Sequence, residues 1–166
     1  MTLVCKDREP LFADERFRAI AEETWLWLAE RYKYVGLDQY VVMPNHVHGI
    51  IVIRDVCRGG SRTAPTGRPP AIKPLGRLIG AFKTVSTKRI NAIRGASGVP
   101  VWQRNYYEHV IRDEEDLDRV RRYILENPLR WDEDPENPAV AQAMGDHGGS
   151  EGDHGGSPLR VNGGQT

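Results

Sequence analysis

The stretch that most restricts the fold is LDQYVVMPNHVHGIIVI, residues 37–53. Two runs rich in β-branched and aromatic residues flank Pro44-Asn45, a pair that ends one strand and turns the chain. Strands joined by so short a link pair antiparallel. The hairpin therefore commits the chain to an antiparallel sheet, and the remaining segments must supply its cover.

Those segments read as helices interspersed with further strands. Thr2 to Cys5 reads as a short strand that turns by Pro10. Residues 14–33 follow, with Phe17, Ile20, Ala21, Thr24, Leu28 and Tyr32 near helical spacing and Asp14 as the expected cap. A second helix is expected over 73–95, with Pro74 in its first turn and Leu75, Leu78, Ile79, Phe82, Val85 and Ile90 inward. VWQRNYYEHVIR, residues 101–112, is a further strand candidate. A third helix should start at the cap Asp113, turn Leu117, Val120 and Ile124 inward, and stop near Pro128. The order β-α-β-β-α-β-α implies one α+β layer, a ferredoxin-like antiparallel sheet with helices packed on one face.

Two segments cannot contribute a core. Residues 57–71, CRGGSRTAPTGRPPA, are expected to be a flexible insert. After Trp131 apolar periodicity ceases, and GDHGGS occurs at 145 and again at 152. This gives a folded domain over 1–131 and a low-complexity, disordered tail over 132–166.

Lys+Arg and Asp+Glu both number 23, so net charge identifies no partner. Its distribution is more informative. Residues 54–104 hold eleven Lys or Arg against the single acid Asp55, whereas residues 105–166 hold fourteen acids against six bases. A basic region of this kind suits either a polyanion or a solvated linker. Cys5 and Cys57 stand apart with no CxxC pair, as in the free thiols of a reducing compartment. No apolar run approaches the ~18 residues that span a membrane, and the N-terminus lacks the apolar core of a signal peptide. The expectation is a cytoplasmic protein with no membrane partner.

Alternation along a strand sends His46 and His48 to one face and Val47 to the other. Their Cα atoms would lie about 7 Å apart, so both imidazoles can lean onto one cation. H-x-H alone also fits two hydrogen-bonded imidazoles on a sheet surface. Tyr123 and Asn127, four apart in the third helix, share a face on the flank of its apolar stripe. If that flank meets the histidine face, Asn127 offers a carbonyl ligand and Tyr123 a nucleophile. Spacing alone equally allows a packed tyrosine and a helix-ending asparagine. A metal beside a phenol suits phosphoryl chemistry: the ion polarises a phosphate and the phenol forms a covalent intermediate.

VVMPNHVHGIIVI, VWQRNYYEHVIR and YILENPLRW, in this order, closely resemble the REP-associated tyrosine transposases, single-tyrosine insertion-sequence-type transposases of the HUH nuclease superfamily. The resemblance spans about Thr2 to Trp131. It implies the HUH single-tyrosine transposase fold and cleavage of single-stranded DNA beside a hairpin in repetitive palindromic elements, leaving a 5′-phosphotyrosyl bond. It makes His46 and His48 the HUH pair, Tyr123 the nucleophile and Asn127 the third ligand of Mg²⁺ or Mn²⁺. Tyr106, Tyr107 and His109 are rivals that fall in the strand motif. The resemblance also implies a homodimer, with a hairpin-binding protein that no longer cuts as the alternative. Lys83, Lys88, Arg89 and Arg104 are the expected phosphate contacts. Trp102 or Tyr107 would stack on an unpaired base.

Overall fold

The computed structural model describes residues 1–54, 74–134, 137 and 140. The expected insert over 57–71 and the repeats of the tail lie outside the described residues. Among the described residues the sheet has three strands in the order β1 (Thr2–Val4), β3 (His46–Ile53), β2 (Val35–Val42), all antiparallel. Met43 N–H donates to His46 O across the Pro44-Asn45 turn, closing the expected hairpin. Val42 pairs with Val47, while Thr2 and Val4 pair with His48 and His46. β3 is thus the central strand, held on both edges.

Helix α1 (Glu15–Arg31) begins where expected, because the Asp14 carboxylate accepts the Arg16 N–H. It buries Phe17, Ile20, Ala21, Thr24, Trp25 and Leu28. Trp25 fits because position 49 has no side chain: a Cβ on Gly49 would lie 2.3 Å from the indole. Helix α2 (Leu75–Arg94) lies beside α1, burying Leu78, Ile79, Phe82 and Ile90, and ends at Gly95 in the left-handed conformation. Trp102 closes the core between Phe12 and Phe82, with its ring centroid 5.3 Å from each. Trp102 donates its indole N–H to Ser86, which makes it a core residue and leaves Tyr107 as the exposed ring of the two expected stackers.

Helices α1 and α2 cover the Val47 face, but the cover is not one-sided as expected, because the hairpin's other face is also taken by a helix. Helix α3 (Glu114–Glu126), capped by Asp113, lies on the opposite face. A β-bulge between Leu37 and Tyr40 interrupts β2. Within that bulge the Asp38 carboxylate takes Arg121 of α3 bidentately, at 2.8 and 2.7 Å. The bulge re-aims one acidic side chain, and that side chain ties α3 to the sheet.

The strand expected over 101–112 is reduced to two isolated bridges, Cys5 with Trp102 and Thr2 with Tyr107. Between them the chain bows out from β1. The Lys83 ammonium donates to the freed carbonyls of Gln103, Arg104 and Asn105 at 2.8, 3.3 and 3.0 Å. A side chain from α2 therefore takes the place of a strand partner. No helix among the described residues is long and apolar enough to cross a membrane.

Candidate active site

Every second side chain of β3 faces α3. His46 is fully buried and His48 nearly so, and their Nε2 atoms approach to 2.9 Å. Two nitrogens each about 2.1 Å from one ion stand about 3 Å apart at a right angle. The pair thus already has the bite of a chelate.

The proton on the His46 ring is fixed from behind. Asn45 Nδ2 donates to Arg8 O at 3.2 Å, so its Oδ1 is the atom facing His46 Nδ1, 2.8 Å away. His46 Nδ1 therefore carries the proton, and Nε2 keeps its lone pair for the site. The His48 Nε2–H then donates to that lone pair, while His48 Nδ1 accepts from the Thr2 hydroxyl at 2.8 Å. A hydroxyl can donate or accept, so Thr2 also supports the other tautomer, in which His48 Nε2 is free to ligate. Burial pushes the His48 pKa down to about 3, helped by His46 and the N-terminal ammonium. The ring is neutral at physiological pH, as a ligand must be.

The chain after α3 returns to the same place. A 3-10 turn, Asn127–Glu133, follows α3 directly. It ends at the cap Asp134, whose buried carboxylate lies 3.9 Å from His46 Nε2. His46, His48 and Asp134 can bring one ligand atom each within 4.8 Å of one another. Asn127 is also buried, and its Oδ1 has no hydrogen-bond partner among the described residues. Leaving a buried carbonyl oxygen unmet is costly, and a cation would satisfy it. The clustered donors, two imidazoles and a carboxylate, suit a divalent metal ion.

Tyr123 stands at this centre. Its ring packs edge-on against His48 with centroids 5.3 Å apart, yet the residue is 54% exposed. His46, His48 and Tyr123 are thus brought together. His109 is not in that group: it bonds Asp116 of α3 at 2.7 Å. The expected phosphate contacts are dispersed. Lys83 is engaged by three carbonyls, and Arg89 pairs with Glu23. Lys88 and Arg104 both line a groove of about 780 Å³ between α2 and the 95–104 segment.

Asp134 and Asn45 escape the sequence reading. Asn45 immediately precedes the histidine pair, which is a usable cue. Asp134 lies among the acids of DEDPE beyond the expected domain end at 131, and nothing in the pattern distinguishes it from its neighbours.

No protein-family model matches the chain. The solved structure of a REP-associated tyrosine transposase bound to a REP hairpin is similar in fold, with a TM-score of 0.55 and 16% identity. That match takes in 78% of this chain and 64% of the transposase chain, so this chain spans somewhat less than two thirds of it. An uncharacterized protein of Haemophilus influenzae strain Rd is 30% identical over 148 residues, covering 81% of each chain. The α+β fold is that of the transposase, and by sequence this chain belongs to the same family as the Haemophilus influenzae protein.

Proposed function

We propose that this chain is a transposase: a metal-dependent single-stranded DNA endonuclease and strand transferase that uses Tyr123 as its nucleophile at hairpin-flanked repeats. The observation that carries the reading is the Tyr123 ring against His48, beside two imidazole nitrogens 2.9 Å apart. The fold shared with a hairpin-bound transposase supports it. His46, His48, Asn127 and Asp134 would hold Mg²⁺ or Mn²⁺, which when bound supplies Lewis-acid polarisation of a phosphate.

The chain's own residues define the rest. The hydroxyl of the half-exposed Tyr123 attacks the scissile phosphorus, forming the Oη–P bond as the P–O3′ bond breaks and the phenol proton passes to the leaving oxygen. The 5′ phosphate stays on tyrosine and a 3′-hydroxyl is released. Attack of a 3′-hydroxyl on the phosphotyrosine reverses the step and rejoins strands. Asn45 and Thr2 hold the imidazoles in place throughout. The same reading takes the protein to act as a homodimer in the cytoplasm.

The test is incubation of purified protein with Mg²⁺ or Mn²⁺ and a hairpin-bearing single strand, followed by denaturing electrophoresis. Wild type should form a covalent protein–DNA adduct that chelation prevents and that Tyr123→Phe never forms. Adduct persisting in Tyr123→Phe would sink the nucleophile assignment. Salt-sensitive hairpin binding with no adduct at any metal concentration would instead indicate a binding protein on this fold.

A further inference from the structure

Tyr123 and His48 also line a pocket of about 320 Å³ between α3 and residues 107–109, whose other walls the proposed chemistry does not use. Val120 and Ile124 give it apolar lining, and Tyr107, His109 and Arg119 open onto it. Tyr107 is an unusual surface aromatic. Its backbone is pinned to Thr2 by two hydrogen bonds of 2.8 and 3.1 Å, while the residue is 68% exposed. The chain thus presents an aromatic ring on a fixed base.

The two polar groups are held as firmly. Asp116 is buried, and its carboxylate takes His109 Nε2 on one oxygen and the Arg119 guanidinium on the other. Its own backbone N–H donates to Asp113. The His109 hydrogen bond foremost, with the Arg119 charge beside it, holds the Asp116 carboxyl below the usual carboxylate range. With Nε2 engaged, His109 Nδ1 remains for a ligand, and Arg119 keeps further N–H donors. One buried carboxylate therefore aims an imidazole and a guanidinium at a pocket that also carries a fixed aromatic ring.

An unpaired nucleotide has matching requirements: a π face to stack, a polar base edge and a phosphate charge. The volume suits a small ligand of that size. We infer that this pocket seats the unpaired nucleotide adjoining the scissile phosphate, stacking its base on Tyr107, meeting its edge with His109 and holding its phosphate with Arg119. The inference rests on the single-stranded DNA reading above, and it makes Tyr107 and His109 determinants of where the strand is cut.

The experiment uses Tyr123→Phe as the uncut parent and a fluorescein-labelled DNA hairpin with a single-stranded flank. A single abasic site is moved one nucleotide at a time along the flank, and affinity is read by anisotropy. One abasic position should weaken binding by roughly tenfold or more. Tyr107→Ala in the parent should weaken the intact strand by a similar factor and become indifferent to that abasic site. Tyr107→Phe, which keeps the ring, should match the parent. Arg119→Ala should weaken intact and abasic strands alike. Thermal melting of each variant at the parent temperature establishes that the fold is kept. Because only binding is read, this coupling can appear even if wild type forms no adduct, so the two readings fail separately. Parent-like affinity of Tyr107→Ala, an undiminished abasic effect in that variant, or no binding to the flank would overturn the inference.

Discussion

His46 is aimed by a relay that begins in the backbone. Asp7 and Arg8 both adopt positive φ, 55° and 54°, a conformation that L-residues reach only at a cost. The Arg8 carbonyl holds the Asn45 amide, which in turn holds the His46 ring. Replacing Asn45 with Ala should lower Mn²⁺ affinity about 10- to 100-fold, as loss of such a partner does in other metal sites. Titration of the free Mn²⁺ paramagnetic signal measures this without any DNA. His48 leads to a prediction about stability. Its ordinary pKa of 6.5 falls to about 3 in the folded chain, so between those values the unfolded chain binds the extra proton. Stability is full above pH 6.5 and declines as pH falls toward 3. Urea midpoints in chelator should show the decline beginning above the carboxylate range, and His48→Asn should make that upper part shallower. The histidine pair and the Tyr123/Asn127 spacing were legible because alternation and helical periodicity are local. Thr2 pairs with His48 across 46 residues of sequence, and such a partner has no local signature.

At the scale of elements, the hairpin and the three helices follow from periodicity and capping, and the structure keeps them within a few residues of the expected bounds. The segment over 101–112 does not follow, for a reason that lies in another element. Its β-rich composition would suit a full edge strand, but only Trp102 and Tyr107 bridge to β1. The three carbonyls of the bow between them are met by Lys83 from α2. Burial lowers the pKa of this amine, and its ammonium also sits 5.7 Å over the Tyr106 ring. Lys83→Met keeps the apolar stem but removes the donors. It should cost about 1–3 kcal/mol, read as a lower urea midpoint. A stability equal to wild type would show that the bow does not depend on this brace. Because the bow leads into Tyr107, the same variant should also loosen the ring proposed to carry a base.

For the whole molecule, charge segregation was legible, but which cations remain for a ligand was not, since ion pairs form only in the fold. Part of the basic stretch, residues 55–73, lies outside the described residues. Within the rest, Lys83 braces the bow, Arg89 pairs with Glu23 and Arg94 approaches Glu9 at 3.7 Å. Lys88 and Arg104 form no ion pair among the described residues, and both line the groove beside α2. The molecule is neutral overall, so attraction to DNA must come from such local surfaces and not from a general field. Each phosphate contact contributes about −0.7 to −0.9 to the slope of log affinity against log salt concentration. Lys88→Ala with Arg104→Ala should therefore flatten the slope for hairpin DNA by about 1.4 to 1.8, with thermal stability unchanged. Lys83→Met should do the reverse, lowering stability while leaving the slope alone. A slope that flattens on loss of Lys83 and holds on loss of Lys88 and Arg104 would reassign the DNA surface from the groove rim to the bow.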